Sequence, residues 1–287
     1  MNNLTIKEHY IPRVYLNGFA SRDERIYFYD LKTYRYSNQL VPVKTVCYKK
    51  NLYEYRNENN ELIYTNSNEK ALNNLETMFS KKRTAIRTRI RITNPKTTCF
   101  LSEEEIAFWI TYIVIQIFRL PKVIDEITYA LRDMIPSTGD ANLHRNTALY
   151  ILLPLLKKLD SQSTELKLYN EFISIISTMR CTIGYDGKHR LITSDSPIYL
   201  YAPKQRIQDC LKIYFPIDSS LCLIFTKDEL YPDNGIMLLN DYEYENIFKS
   251  IVYAADDKLY LSREFTRNEL RWIKSARIDK DIDNKQP

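Results

Sequence analysis

The chain has 287 residues, 44% of them hydrophobic and 27% charged; this supports one large packed domain or two small ones and excludes a mainly disordered chain. Only 5 glycines against 23 tyrosines weigh against glycine-rich phosphate loops, and neither G-x-G-x-x-G nor G-x-x-x-x-G-K-[ST] occurs. A net charge of +5 is a mild tilt toward anionic partners, and five scattered cysteines without a C-x-x-C pair exclude a zinc knuckle or a disulfide framework.

The opening, Met1 to Tyr10, has no apolar stretch of the signal-peptide kind, and the longest apolar run, Ile106 to Phe118, is too short to cross a bilayer. The expectation is a soluble, cytoplasmic protein with no membrane partner. Pro12 suits the first turn of a short helix through Val14, Tyr15, Leu16 and Phe19. Arg25–Asp30 alternates as a strand, with Thr33–Tyr36 its hairpin partner and shorter strands at Val41–Cys47 and Asn51–Tyr55. Ser67 reads as the cap of a long helix ended by Asn94-Pro95. Ser102 with Glu105 forms a capping-box pattern for a helix that Pro121 bends or breaks. Helices follow at 122–134, 147–159 and 163–178, with a polar loop at 136–146.

From Met179 the period changes to that of strands, at Cys181–Gly184, Arg190–Thr193, Ile198–Tyr201, Leu211–Phe215 and Leu221–Phe225. Asn240 with Glu243 caps another helix, Lys258–Leu261 is a strand, and Phe265–Ile273 closes the fold. The expectation is a single α+β domain over 1–278: strand-rich 1–66, helical 67–178, strand-rich again 179–278, the two strand regions sharing a sheet. Residues 279–287 read as a loose charged tail.

The long helix carries the sharpest local signal. Glu69, Leu72, Glu76, Phe79, Arg83, Ile86 and Ile90 recur at three- and four-residue steps and share one face, four of them apolar. Glu69 and Glu76 are therefore carried inward, where a carboxylate needs a hydrogen bond, a cation, a metal or a proton. Two such groups start a metal or acid/base site; the structural alternative is that they complement the helix dipole. Arg83, Arg87 and Arg91 form an i, i+4, i+8 row suited to a phosphate backbone, or simply a solvated face.

His9, before a helix start, is a candidate proton shuttle or a hydrogen-bonded structural residue; His144 and His189 read as surface residues. Gln116 and Arg119 lie one turn apart, Gln116 on the apolar face. Arg119 offers a two-pronged donor to a phosphate or, more economically, to Glu76. Ser194-Asp195 ends a strand before Pro197, a placement shared by ligand sites and ordinary turns.

Taken together, His9-Tyr-Ile-Pro12 with Tyr15, Leu16 and Phe19 resembles the opening of a bacterial family of uncharacterised activity, domain of unknown function 4238. The likeness continues through Asn51-Leu-Tyr53, Glu69, Glu76, Gln116-x-x-Arg119, Thr193-Ser-Asp-Ser-Pro197, Pro216 and Asn240, and covers essentially the whole chain. The resemblance implies a cytoplasmic bacterial protein associated with phage defence or mobile elements, and no particular reaction.

Two readings follow. In the first the chain is a metal-dependent phosphodiesterase or nuclease, possessing a toxin-like or defence role. Glu69, Glu76 and Asp195 hold Mg or Mn, His9 is general acid or base, Arg119 stabilises the phosphorane and Gln116 completes the catalytic set. Arg83, Arg87, Arg91, Ser194 and Asn240 then contact the nucleic acid. In the second the chain is a non-enzymatic nucleic-acid-binding or sensor module, and the same polar residues pair internally as a structural lock.

Overall fold

In the computed structural model, residues 6–63, 67–92, 100–135, 142–153, 167–203 and 206–283 are described. The alternation of Arg25–Asp30 is that of a strand, β2, with Ile26 and Phe28 on one face and Tyr27 and Tyr29 on the other. Its hairpin partner is β3 (Arg35–Tyr36). Its other neighbour is distant in sequence: β14 (Lys258–Leu261) pairs antiparallel with it, Leu259 opposite Tyr29 and Tyr260 opposite Phe28. β9 (Thr193–Ser194) adds to the far side of β14, completing the order β3-β2-β14-β9. The fold is α+β, and the first and last parts of the chain share this sheet.

A second sheet has the order β10-β11-β12-β8-β13, built from β8 (Arg180–Tyr185), β10 (Tyr199–Tyr201), β11 (Lys212–Pro216), β12 (Leu221–Thr226) and β13 (Gly235–Leu238). β13 alone runs parallel to its neighbour, β8. All six residues of β12 are buried, as expected for a strand covered on both faces. Both sheets divide the same two cores. One, with Ile26, Tyr260, Ile213, Phe215, Leu223 and Phe225, receives the helices of the first half of the chain. The other, with Tyr29, Leu259, Tyr214 and Ile224, is covered by α7 (Asp241–Ala254) and α8 (Arg267–Asp283).

The helical layer follows its caps. In α3 (Glu103–Phe118) Ser102 accepts from the Glu105 N–H while Glu105 bonds back to the Ser102 N–H. Pro121 opens α4 (Pro121–Met134) as its first residue. α5 (Leu143–Leu152) and α6 (Lys167–Ser177) complete the layer. On the long helix α2 (Ser67–Ile92), Leu72, Phe79 and Ile86 are fully buried, so the expected stripe faces the protein. No single helix among the described residues is long and apolar enough to cross a membrane.

Several expected elements differ. Val41–Cys47 is strand only at β4 (Val41–Pro42), followed by a tight turn at Val43–Thr45. The ladder lies instead at β5 (Tyr48–Lys50), paired with β1 (Lys7–His9), while β6 (Tyr55–Arg56) pairs with β7 (Leu62–Ile63). β1 and β5, Lys-Glu-His and Tyr-Lys-Lys, are held by backbone bonds and show no apolar period. Arg190–Ile192 is not strand; the Leu191 N–H donates to the Ser219 carbonyl instead. Residues 143–146 are helix rather than loop, and His144 is buried with Nε2 at 2.9 Å from the Ile135 carbonyl, not on the surface. α8 runs through Asp283, well past the expected closing helix, because Lys280 caps the Ala255 carbonyl and Tyr253 donates to Asp283. The Asn94-Pro95 stop, most of the 136–142 loop and residues 154–166 fall outside the described residues.

Candidate functional site

β1 is a three-residue strand whose side chains, Lys7, Glu8 and His9, are all ionisable and meet different surroundings. Glu8 is fully buried beneath it, accepting the Tyr53 N–H at 2.7 Å. Burial, against the pull of that N–H and with Glu54 and Glu69 nearby, pushes its carboxyl up to about 7. His9 lines a hollow of about 560 Å³ together with Lys7, Arg13, Lys44, Glu69 and Glu76. Two elements converge here: the β1–α1 segment brings the histidine and Arg13 (α1, Arg13–Leu16), and the first three turns of α2 bring the glutamates.

His9 Nε2 is buried and has no hydrogen-bond partner. The ring hydrogen-bonds the Lys44 backbone, which leaves Nδ1 for that contact. Burial first, then the charges of Arg13, Arg119 and Lys7, hold the imidazole down to about 4. It is neutral at physiological pH, and with Nδ1–H turned to a carbonyl its bare Nε2 lone pair is a base. Glu69 Oε2 is likewise buried without a partner. Burial raises its pKa above the usual glutamate range, with Glu76 and Glu54 adding to the rise and Arg119 opposing it. A proton-poor nitrogen and a carboxyl whose proton affinity is raised by burial therefore belong to side chains that line one cation-rimmed hollow.

The other expected residues are used differently. Arg119 is 1% exposed and its donors are spent internally: Nη1 to Glu76 at 3.1 Å, Nη2 to the His9 carbonyl at 2.5 Å, Nε to Tyr53 Oη at 3.2 Å. It does not line the hollow; it holds Glu76 and the end of β1 in place. Gln116 does the same from α3, donating to the Tyr10 carbonyl at 2.8 Å. Neither presents a group to a substrate, because both lie on the α3 side that packs against β1.

Asp195 is not with the two glutamates. Its Oδ1 accepts the Asp256 N–H and its Oδ2 those of Asp257 and Lys258, at 2.9 to 3.0 Å, so it closes the turn between α7 and β14. Its carboxyl faces two neighbouring hollows, not that of His9. The expected metal set Glu69, Glu76 and Asp195 is thus not assembled: Glu76 pairs with Arg119 and Asp195 is saturated by backbone. Among the described residues no group of three or more His, Cys, Asp or Glu side chains is arranged to hold a metal ion.

The arginine row also divides. Arg83 is 7% exposed and directs Nη1 to the Tyr15 and Ile217 carbonyls, as its place on the inward stripe requires. Arg87 pairs with buried Asp218 at 2.8 Å, and Arg91 is exposed at the helix end. Arg83 and Arg87 therefore brace the turn after β11 rather than forming a row open to phosphates. Ser194 bonds within its own turn, to Ser196. Asn240 caps α7 by accepting the Glu243 N–H and does not line the His9 hollow. The cations that do rim the hollow, Lys7, Arg13 and Lys44, are ordinary surface residues in sequence and carry no period that singles them out.

Compared with known families, residues 7–265 match the family described as Protein of unknown function (DUF4238). The chain belongs to this family. No curated protein and no solved structure matches it. In this DUF4238 chain the residues that carry the resemblance form two centres. Tyr15 Oη donates to the Pro216 carbonyl at 2.7 Å and accepts from Thr193 Oγ1 at 2.7 Å, locking α1 to both sheets. Tyr53 and Arg119 lock β1 to α2 and α3, and the His9 hollow opens on that second lock.

Proposed function

We propose that the chain cleaves phosphodiester bonds, with RNA as substrate and His9 and Glu69 as the base–acid pair. One observation carries this reading: His9 and Glu69, each with a buried side-chain atom that lacks a hydrogen-bond partner, line one hollow together with Lys7, Arg13 and Lys44. Buried polar atoms without partners are costly, and they are kept where a ligand completes them. A base, an acid and nearby cations are the groups that attack by a ribose 2′-hydroxyl requires.

In the step, His9 Nε2 takes the 2′-OH proton as O2′ bonds to phosphorus. The P–O5′ bond breaks, and Glu69 gives its proton to the departing 5′ oxygen. The products are a 2′,3′-cyclic phosphate and a 5′-hydroxyl. The rim cations meet the charge that develops on the phosphorane. A bound phosphate also offsets the positive field of Arg13, Arg119 and Lys7 that depresses His9, making the imidazole a stronger base in the complex. Arg119 acts through Glu76 and the His9 backbone as a positioning residue.

The test is incubation of the protein with single-stranded RNA and end-group analysis. Cyclic phosphate ends are expected, with an acid limb in kcat/KM set by His9 protonation near pH 4 and an alkaline limb set by Glu69. Glu69→Gln removes the alkaline limb and costs about a hundredfold in rate. RNA left intact by the wild type across the pH range overturns the reading. A second reading, a non-enzymatic nucleic-acid-binding or sensor module, is favoured by the internal pairing of Glu76, Arg119, Gln116 and Asp195. It predicts RNA binding without turnover.

A further inference from the structure

β1 and β5 form a two-stranded ribbon, with Lys7 opposite Lys50, Glu8 opposite Lys49 and His9 opposite Tyr48. Directly opposed residues share a face, and so do residues two apart along each strand. One face therefore carries His9, Tyr48, Lys7 and Lys50. Two contacts bear this out: the His9 and Tyr48 ring centroids lie 5.7 Å apart, and Lys7 Nζ stands 4.7 Å from the Tyr48 ring centroid. Glu8, on the opposite face, is fully buried, whereas Lys7 and Lys50 are exposed. The His9 face is the one turned outward.

That outward face of the ribbon holds no carboxylate. Lys49, on the other face, has an acid within reach in Asp125 at 4.0 Å, but Lys7 and Lys50 form no salt bridge among the described residues. Like charges set directly across a ladder repel each other. An anion between them relieves the repulsion, and the positive field draws one in.

We infer that the Lys7–Lys50 pair is a backbone subsite for single-stranded RNA, taking the phosphate one nucleotide to the 5′ side of the bond that is cut. The inference deepens the reading of the His9 hollow given above and rests on it for the place of the scissile phosphate. Two residues of strand advance about 6.7 Å, close to the step of one nucleotide in an extended single strand, and Lys7 lies two residues from His9. The direction follows from the chemistry. His9 meets the 2′-hydroxyl of the upstream nucleotide, while Glu69, on α2, meets the departing oxygen of the downstream one. The ribbon leads away from His9, so it follows the upstream nucleotide to its own 5′ phosphate. Contacts of this kind position the strand and carry no base preference.

The experiment compares cleavage of the dinucleotide UpU with that of its 5′-phosphorylated and 3′-phosphorylated forms. In parallel, fluorescence anisotropy follows binding of a labelled eight-residue oligodeoxythymidine, which lacks the attacking hydroxyl. The 5′ phosphate is expected to lower KM at least fivefold with kcat unchanged, and the 3′ phosphate to give no such gain. Lys50→Gln should erase the 5′-phosphate gain while leaving UpU cleavage as it is. The same variant should weaken oligodeoxythymidine binding about threefold and flatten the dependence of log Kd on log salt by about 0.7 unit. Its melting temperature should hold or rise slightly, since the like-charge pair is gone. UpU cleavage with no gain from the 5′ phosphate, or a gain that survives Lys50→Gln, overturns the subsite and retains the catalytic reading. Equal gains from the two phosphates also overturn it. Binding that depends on Lys50, with no RNA cleaved, retains the pair as a backbone contact and sinks the catalytic reading.

Discussion

His9 and Asp195 are ionisable residues on or beside short strands, and their surroundings treat them in opposite ways. Asp195 meets three backbone N–H groups, and its charge closes the turn from α7 to β14. His9 keeps a buried nitrogen without a partner. Burial perturbs both, raising the aspartate to about 6 and lowering the histidine to about 4. A perturbed pKa therefore does not separate a working group from a structural one. An open position points to a working group only beside a hollow, as for His9; Glu8 Oε1, Trp109 Nε1 and Tyr112 Oη are open within the core.

The sharpest way to break this contrast is to remove each group in turn. His9→Ala should lower RNA cleavage by about 10³-fold with the melting temperature held within a degree or so. Asp195→Ala should strand three half-buried N–H donors, cost about 3 kcal/mol and lower the melting temperature by roughly 6–10 °C. Parallel assays of turnover and thermal unfolding decide it; matched losses in both variants would dissolve the distinction.

Arg119 extends the comparison to the lock behind the hollow. Arg119→Met leaves Glu76 and the His9 carbonyl without their cation, an expected loss of about 3–5 kcal/mol in urea unfolding. Adding Glu76→Leu to Arg119→Met should recover part of that loss, since the half-buried carboxylate left without its cation goes with it.

Glu8 sharpens the boundary between lock and hollow through pH. Its folded pKa of about 7 exceeds the ordinary value of 4.5, so between those values the folded chain binds more protons than the unfolded one. Its contribution to stability is present in full below pH 4.5 and is lost as pH rises through 7. Glu8→Gln should therefore stabilise the protein at pH 8 by about 2 kcal/mol and have little effect at pH 4, read from melting curves at the two pH values.

The smallest effect expected is at the rim. Lys44→Ala should weaken RNA binding a few-fold and flatten the dependence of log Kd on log salt by about one unit, with unfolding unchanged.

Much of the architecture was legible because local rules acted alone. The alternation in Arg25–Asp30, the Ser102–Glu105 capping box, Pro121 and the inward stripe of α2 are short-range signals, and the fold obeys them. β1, β5 and β13 were not legible. Their side chains show little period, and their pairings, Lys7 with Lys50 and Gly235 with Thr182, are long-range backbone bonds. The candidate site was half legible for the same reason. Helix spacing carried Glu69 and Glu76 inward, but it also carried Arg83 inward, away from any phosphate. It says nothing about which inward group finds a partner.

Residue order alone settles the α+β class, the long helix and the face it buries, since periodicity and caps are properties of neighbouring residues. Family membership is likewise written in the chain from residue 7 to 265. Tertiary structure alone decides that Glu76 is neutralised by Arg119, that Asp195 is filled by the turn before β14, and that His9 and Glu69 are left with open positions at one hollow. The reason is that a hydrogen bond is spent or saved between groups brought together from β1, α2, α3 and the α7–β14 turn, and no local pattern records that pairing.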